Sequence, residues 1–238
     1  MNHDRAGRTV HWNLHQPAGR DGPTVISSWV VYGRLAMGYY PGMIRYPEMI
    51  RPKAAPETLD ELLDSGIDQF VNLTQDSEGG TDAHLTPYYQ LSEHPDGPSL
   101  VSVGRHEGEQ INVALRPVPD EHLPDCDKKG RWSCEIDGYG EDLVSCGGGQ
   151  PVPATRLILD DLDDFLQQGR NVYVHCWGGS GRTGTIVGCW IRRHGLADAD
   201  EVLNCLASLR EGDSVKHGRP IPQTAAQEQL VLDWEPGW

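Results

Sequence analysis

The hydrophobic pattern of the chain changes its period most sharply around residue 176. The β-branched run at 172–174 predicts a buried strand of a parallel sheet. Apolar residues then recur with helical spacing from Ile186 to Ile191, and Gly195 ends this predicted helix. Between strand and helix, three glycines fall within the five positions after Cys176. The pattern therefore predicts a strand, a tight loop and a helix, whose loop amides and helix N-terminus form an anion-binding concavity.

Strand-like and helix-like patterns also alternate through the rest of the chain. The stretch 29–42 predicts two short strands or a hairpin that ends at a Pro-Gly pair. Residues 56–63 predict an amphipathic helix, and the run that follows predicts a buried strand at 67–73. Further patterns predict strands at 100–103 and 111–115, and helices from about Thr155 to Gly169, after Asp198 and after Pro222.

Capping residues mark the starts of the last two predicted helices. Asp198 and Glu201 have the spacing of a capping box, and Thr224 and Gln227 have the same spacing. Each pair precedes a stripe that is predicted to be buried: Val202, Leu203, Leu206 and Leu209 in the first helix, and Ala226, Leu230 and Trp234 in the second.

Length and charge limit the class of protein. The 238 residues suffice for a full core, and we assign residues 23–238 to a single domain and residues 1–22 to a mobile N-terminal tail. The formal charge of −15 argues against nucleic acid and anionic membranes as partners. No run reaches membrane-spanning length and no secretory leader is visible, which predicts a cytoplasmic protein whose six cysteines are reduced. The oligomeric state is left open.

The loop after residue 175 combines a nucleophile with an anion cradle. Cys176 lies at the strand end and faces the positive end of the next helix, where a thiolate is favoured over a thiol. Arg182 carries a planar guanidinium that can bind two oxygens of a phosphate. Thr183 could donate its hydroxyl to the Cys176 sulfur, and His175 is expected to hold the loop by hydrogen bonds rather than to act as a base. This set suits attack of a thiolate on phosphorus.

The segment from His175 to Gly184 resembles the signature of the cysteine-dependent protein tyrosine phosphatase superfamily, and within it the dual-specificity-like phosphatases. The shared order is His-Cys, five residues, then Arg-Thr-Gly. The resemblance implies an α/β fold of the protein tyrosine phosphatase type, with a twisted, mostly parallel central sheet flanked by helices. It also implies that phosphate is bound by Arg182 and the loop residues Trp177, Gly178, Gly179, Ser180 and Gly181, and that no metal or other cofactor is used.

This loop has two other interpretations. One is a core cysteine beside a tight turn. A nucleotide-binding P-loop is excluded, because Thr185 and Ile186 follow Gly184 where that loop has Lys and then Ser or Thr. Less specific motifs extend the resemblance over Trp29–Leu91, Ile111–Pro124 and Pro153–Trp238.

Asp120 is the candidate general acid. The predicted strand at 111–115 leads into a Pro-x-Pro-Asp sequence with Pro124 four positions after the aspartate, which resembles the general-acid loop of dual-specificity phosphatases. A carboxylic acid there could protonate the leaving oxygen and then activate water. The alternatives are a turn-capping role for Asp120, or Glu121 or Asp125 as the acid.

Gln223, Thr224 and Gln227 resemble the glutamine loop of tyrosine-specific phosphatases, in which glutamine positions the hydrolytic water. Gln227 is the first candidate for that role and Gln223 the second. The alternative is that Gln227 only completes the capping box. One residue could serve both purposes.

Residues 125–153 depart from the family pattern and are predicted to be a loop insertion that forms a surface lid or flap. The insertion carries Cys126, Cys134 and Cys146, which together with His122 could form a zinc site. No Cys-x-x-Cys pair is present, so plain surface thiols are the alternative.

The resemblance implies hydrolysis of phosphate monoesters through a cysteinyl-phosphate intermediate. No Lys or Arg lies among the five residues after Cys176, so phosphotyrosine is favoured over inositol polyphosphates, with phosphoserine and phosphothreonine as further candidates. The predicted partner is a phosphorylated protein or a small phosphomonoester. The alternatives are an inositol-phosphate or other small phosphomonoester phosphatase, and a non-catalytic phosphate-binding module; a sulfurtransferase fits the loop spacing less well.

Overall fold

The computed structural model describes residues 11–18, 21–44, 55–76, 79–91, 99–118, 120–121, 123, 143–145, 151–153, 155–213, 215 and 218–238. Its strands are β1 (Ser27–Val31), β2 (Leu35–Gly38), β3 (Met43–Ile44), β4 (Gln69–Asn72), β5 (Leu85–Thr86), β6 (Tyr89–Gln90), β7 (Ser99–Val101), β8 (Gln110–Leu115), β9 (Leu143–Ser145), β10 (Pro151–Pro153) and β11 (Val172–His175). Its helices are α1 (Ala55–Asp64), α2 (Thr155–Gln167), α3 (Gly181–Arg193), α4 (Val202–Leu209) and α5 (Ala225–Asp233).

Seven strands form the central sheet, in the order β1-β2-β11-β4-β8-β7-β6. The four central strands are parallel: β2 pairs with β11, β11 with β4, and β4 with β8. Antiparallel strands extend both edges. The predicted α/β fold is therefore confirmed, and the sheet is parallel at its centre rather than throughout.

The side chains of the sheet contribute alternately to two hydrophobic cores, because successive residues of a strand point to opposite faces. In β11, Val172 and Val174 pack into the core that the helices α2 to α5 cover. Tyr173 points into the other core, where α1 contributes Leu59 and Leu62. This two-sided burial explains why β11 reads as an uninterrupted apolar run in the sequence.

The parallel centre of the sheet brings four chain segments together at one edge. The carboxyl ends of β2, β11, β4 and β8 lead into the segments that begin at Tyr39, Cys176, Leu73 and Arg116. In open α/β sheets this edge is where ligands bind. The predicted loop of Cys176 and the predicted acid loop therefore lie side by side, with the β4 loop between them.

Most predicted elements are confirmed with small shifts at their ends, but two details of the last helices are wrong. Glu201 precedes α4 without a side-chain capping bond, and Asp198 has an 85% exposed side chain, so no capping box forms there. In α5 the capping box of Thr224 and Gln227 is present. Ala226, however, is exposed, and Gln227, Leu230 and Val231 are the buried residues.

Part of the segment that the sequence predicts as a tail lies against the domain. The rings of Trp12 and Trp190 are 5.9 Å apart, and the backbone amide of His15 donates to the Val30 carbonyl at 2.8 Å. Residues 1–10 lie outside the described residues, and the domain boundaries at 22 and 125–153 stay predictions. None of the described helices is long and apolar enough to cross a membrane.

Candidate active site

The predicted strand, loop and helix around Cys176 are present. β11 ends at His175 and α3 begins at Gly181. Cys176 follows the strand directly, with a free thiol and a side chain that is 3% exposed. The rest of the loop is half-buried at Trp177 and Gly178 and buried at Gly179 and Ser180. A buried sulfur next to a helix N-terminus is the arrangement that the sequence predicted.

Two glycines of the loop are required by close packing. Gly179 has φ +61°, and a Cβ there would lie 2.5 Å from the backbone carbon of Gly38. A Cβ on Gly181 would lie 2.9 Å from Oε1 and 3.1 Å from Nε2 of Gln227. The loop is therefore clamped between the end of β2 and the start of α5, and larger residues would displace it.

His175, which the sequence predicts to hold the loop by hydrogen bonds, lies inside the core. It is fully buried, and its Nε2 forms a 2.8 Å hydrogen bond with the hydroxyl of Tyr88. Burial, and then the positive charge of Arg182, lower the pKa of His175 to about 3. The imidazole is therefore neutral at physiological pH, which suits a structural hydrogen bond rather than proton transfer.

Arg182 is almost completely buried at 1% exposure. Its guanidinium donates to both oxygens of Asp82, at 2.6 and 2.9 Å, and to the carbonyl of Val118 at 2.9 Å. Burial disfavours the charge of Arg182. The Asp82 carboxylate outweighs that effect, so the pKa of Arg182 is raised. The Nε–H has no hydrogen-bond partner among the described residues. A fixed, charged guanidinium with a donor to spare can bind an oxyanion.

Asp82 is a site residue that sequence reasoning missed. It is fully buried, and burial alone would raise its pKa; the hydrogen bonds and charge of Arg182 more than reverse this, so the pKa is lowered. Its Oδ2 also accepts from the backbone amide of Gln75 at 2.9 Å. The only signal in the sequence is an acidic loop that follows the buried strand β4 at the ligand-binding edge of the sheet.

The structure brings Asp120 to the same guanidinium. Its Oδ1 lies 2.9 Å from Nη2 of Arg182, and its side chain is 39% exposed. Its backbone amide donates to the hydroxyl of Thr81 at 3.0 Å, which links the acid loop to the loop of Asp82. Glu121 is exposed and has φ +62°, and the structure gives it no contact with Arg182. The other competitor, Asp125, lies outside the described residues.

The two supporting groups next to the loop differ from expectation in detail. Thr183 is fully buried, but its hydroxyl has no hydrogen-bond partner within the described part of the chain, so the predicted bond to the Cys176 sulfur is not formed. Gln227 is fully buried, and its Oε1 accepts from the amides of Thr224 at 3.2 Å and Gln223 at 3.3 Å. Gln223 itself is exposed beside Gly181. The roles of the two glutamines in positioning water stay predictions.

A second buried cation, Arg210, supports the loop from behind and was also missed. It is 2% exposed and donates to the carbonyl of Gly179 at 2.6 Å and to the hydroxyl of Ser180 at 2.7 Å. Burial lowers its pKa against the opposing effect of Asp213. The sequence contains no signal for this role, because a single Arg at the end of an apolar helical stripe is ordinary.

No group of three or more metal-binding side chains occurs among the described residues. The candidate zinc residues His122, Cys126, Cys134 and Cys146 all lie outside that part of the chain, as does most of the insertion. Within the insertion, the structure describes only the two-stranded ladder of β9 and β10.

Comparisons with known proteins find one family model and two relatives similar to this chain. The model of a family described as "Swiss Army Knife protein, DSP-PTPase phosphatase domain" matches residues 153–230. An uncharacterized protein of Methanocaldococcus jannaschii is 27% identical over 150 residues, which are 55% of this chain and 94% of that protein. A second uncharacterized protein of the same organism is 27% identical over 154 residues, 56% of this chain and 90% of its own length.

Solved structures similar to this chain include two phosphatases. The crystal structure of kinase associated phosphatase, with a serine in place of its catalytic-site cysteine, has a TM-score of 0.51 at 17% identity and covers 83% of each chain. Tk-PTP in its active form has a TM-score of 0.47 at 18% identity over 93% of this chain and 98% of its own. The chain thus resembles a dual-specificity phosphatase domain over residues 153–230 and shares the fold of kinase associated phosphatase.

Proposed function

We propose that the protein hydrolyses phosphate monoesters, phosphotyrosine in proteins before phosphoserine and phosphothreonine, through a cysteinyl-phosphate intermediate. The observation that carries the proposal is that Cys176, Arg182 and Asp120 lie at one edge of the sheet, with the acid 2.9 Å from the guanidinium. A nucleophile, an anion-binding cation and a proton donor are the three groups that such a reaction needs.

In the first step the sulfur of Cys176 attacks phosphorus and the ester oxygen leaves. The new S–P bond forms as the P–O bond breaks, and Asp120 supplies a proton to the departing oxygen. The arriving phosphate replaces Asp120 on Arg182, whereas the buried Asp82 keeps its two hydrogen bonds to the guanidinium. Arg182 and the loop amides then carry the charge that spreads over the phosphoryl oxygens.

In the second step water breaks the S–P bond and releases inorganic phosphate. Asp120, now a carboxylate, accepts a proton from that water, and the amide of Gln227 is the candidate group that positions it. Gln227 packs against Gly181, so its amide is close enough to the loop for this role. The Cys176 thiolate and the carboxylic acid of Asp120 end the cycle in their starting states, and none of these steps calls for a metal.

Hydrolysis of p-nitrophenyl phosphate, with reductant and EDTA present, tests the proposal. We expect turnover in the wild type, none in Cys176→Ser, and a loss of about 100-fold in kcat for Asp120→Asn, since general acids contribute about 10²–10⁴-fold. Cys205→Ser and Asp164→Asn make the same chemical changes in α4 and on the exposed side of α2, and both should keep full activity.

The alternatives give different outcomes in the same assay. A non-catalytic phosphate-binding module would bind phosphotyrosine peptide as tightly in the wild type as in Cys176→Ser and release no phosphate. An inositol-phosphate phosphatase would hydrolyse inositol phosphates with a higher kcat/KM than phosphotyrosine peptides. The five residues after Cys176 include no Lys or Arg, which favours a substrate with one phosphate.

A further inference from the structure

We propose that a cavity beside the catalytic loop binds the cationic side chain of an Arg or Lys that flanks the phosphorylated residue of a protein substrate. The proposal rests on the proposed function and names the class of substrate. The cavity has a volume of about 350 Å³, within the range of about 300–1,000 Å³ for ligand pockets. We call it the flanking cavity; its walls include Asp76, Pro87, Tyr89, Leu91, Leu115 and Pro117.

The flanking cavity lies next to the segments that hold Arg182 in the candidate active site. Gln75 lines the cavity, and its backbone amide donates to Asp82, which holds Arg182. On the other wall, Pro117 directly precedes Val118, whose carbonyl accepts from Arg182 at 2.9 Å. The cavity is therefore placed where a residue that flanks a phosphotyrosine bound at Arg182 could enter it.

Asp76 gives the cavity its charge. Its carboxylate accepts from the hydroxyls of Tyr40 at 2.7 Å and Tyr89 at 3.2 Å, and from the amide of Asn72 at 3.1 Å. All three donors are neutral, and no basic side chain among the described residues forms an ion pair with Asp76. Burial, and then the charge of Asp76, raise the pKa of both tyrosines, so their hydroxyls stay donors. Among the described residues, the half-buried carboxylate of Asp76 is therefore bound by neutral donors alone.

The remaining walls suit the rest of a long basic side chain. Arg and Lys have apolar stems and charged ends, and they bury the stem against apolar surface when the end finds a partner. Leu91, which is 60% exposed, and Leu115 offer that surface, and the ring of Tyr89 offers a face for a guanidinium. An anionic neighbour, such as a second phosphate, would be repelled by Asp76. The chemistry of the cavity thus selects cationic peptides.

The test uses phosphotyrosine peptides that differ in one flanking residue. Arginine is placed at each of three positions on either side of phosphotyrosine in an otherwise neutral peptide, and each peptide is matched by one with citrulline, which has a similar shape and no charge. We expect kcat/KM of the wild-type chain to be about tenfold higher with arginine at one or more positions, as for a hydrogen-bonded charge pair. Asp76→Asn should abolish that preference and leave hydrolysis of p-nitrophenyl phosphate unchanged.

Controls separate this proposal from the proposed function. Asp164→Asn removes a carboxylate from an exposed site on α2 and should keep the preference for arginine. The affinity of Cys176→Ser for the same peptides needs no turnover. If the wild type hydrolyses nothing but Cys176→Ser binds the arginine peptide about tenfold tighter, and loses this with Asp76→Asn, the cavity proposal stands and the proposed function fails.

Three results would overturn the proposal. One is equal kcat/KM and equal affinity for arginine and citrulline peptides at every position. Another is a preference for arginine that Asp76→Asn retains. The third is a higher kcat/KM on inositol phosphates or on phosphoinositide vesicles than on any arginine peptide, because those substrates bring additional negative charge towards Asp76.

Discussion

Arg182 is bound by two carboxylates of different character. Asp82 is fully buried and contacts the guanidinium with both oxygens, whereas Asp120 is 39% exposed and contacts it with one. Removing one partner of a buried ion pair is costly, because the remaining charge loses its compensation. Asp82 is therefore suited to fix the orientation of Arg182, and Asp120 is suited to move when phosphate arrives.

We expect Asp82→Asn to lower kcat for p-nitrophenyl phosphate about tenfold without raising KM. Asparagine keeps the shape and one acceptor, so Arg182 remains in place but is held less rigidly, and orientation matters most in the transition state. The loss of a negative charge near the phosphate does not weaken ground-state binding. Urea unfolding should show a loss of about 3 kcal/mol. A raised KM with unchanged kcat would contradict the positioning role of Asp82. The control variant Asp164→Asn should change neither kcat nor KM.

His175 makes the stability of the protein depend on pH. Its pKa is lowered from 6.5 to about 3 by burial and by Arg182. Between these values the unfolded chain binds a proton that the folded chain does not, so the folded state loses stability as pH falls below about 6.5. We expect urea unfolding of the wild type to lose about 1.4 kcal/mol more per pH unit than His175→Gln between pH 6 and pH 4.

His106 is the matched control, with the opposite sign. Hydrogen bonds to Glu109 and then to Asp64 raise its pKa against the weaker effect of burial. Its contribution is therefore present below its unfolded pKa and lost as pH rises through the raised folded pKa. His106→Gln should destabilise the protein slightly at pH 5 and not at pH 9. Parallel pH profiles of His175→Gln and the wild type would show that His175 does not titrate as described.

Among the elements, the start of α5 combines a structural and a candidate chemical role. Thr224 and Gln227 form a reciprocal capping box, and Gln227 also packs against Gly181 of the signature loop. Capping acts on the stability of the helix, whereas positioning of water acts on the rate at which the phosphoenzyme breaks down. The two roles can therefore be separated by two variants.

We expect Thr224→Ala to cost about 1 kcal/mol in urea unfolding and to leave kcat unchanged, because it removes the cap alone. Gln227→Ala should also slow the second step, so that p-nitrophenol appears in a burst equal to the enzyme concentration before a slower steady rate. A burst in both variants would show that the helix start, rather than the Gln227 amide, controls the rate. Its absence in both would exclude the water-positioning role.

The elements also show what sequence patterns can predict. β11 and α3 were predicted within a few residues, because burial on two faces of a strand and a helical period leave a direct trace in the order of residues. Asp82 and Arg210 left no such trace, since their roles depend on contacts over 100 and 31 residues of sequence. At Asp198 the capping spacing was present, but the helix begins at Val202 instead and no side-chain cap forms. At Asp82, Arg210 and Asp198 the structure depends on tertiary packing, which the local order of residues does not record.

At the scale of the whole molecule, two buried arginines lie at the site of an acidic protein. The carboxyl edge of the sheet holds the buried Arg182 and Arg210, whereas the chain has 35 acidic and 20 basic residues and a formal charge of −15. Buried cations act over short distances, and the net charge acts over about a Debye length, about 10 Å at 0.1 M salt. An approaching phosphate dianion is thus repelled at long range and attracted only at the site.

We expect kcat/KM for p-nitrophenyl phosphate to rise about two- to fivefold between 10 and 200 mM added NaCl at constant pH, because salt screens the long-range repulsion. A phosphotyrosine peptide with several arginines should show the opposite slope, since salt also screens its attraction to the acidic surface and to Asp76. Competition by chloride at Arg182 would lower kcat/KM for both substrates, so the two slopes distinguish screening from competition. Parallel slopes of either sign would mean that the charge of −15 does not guide substrates to this site.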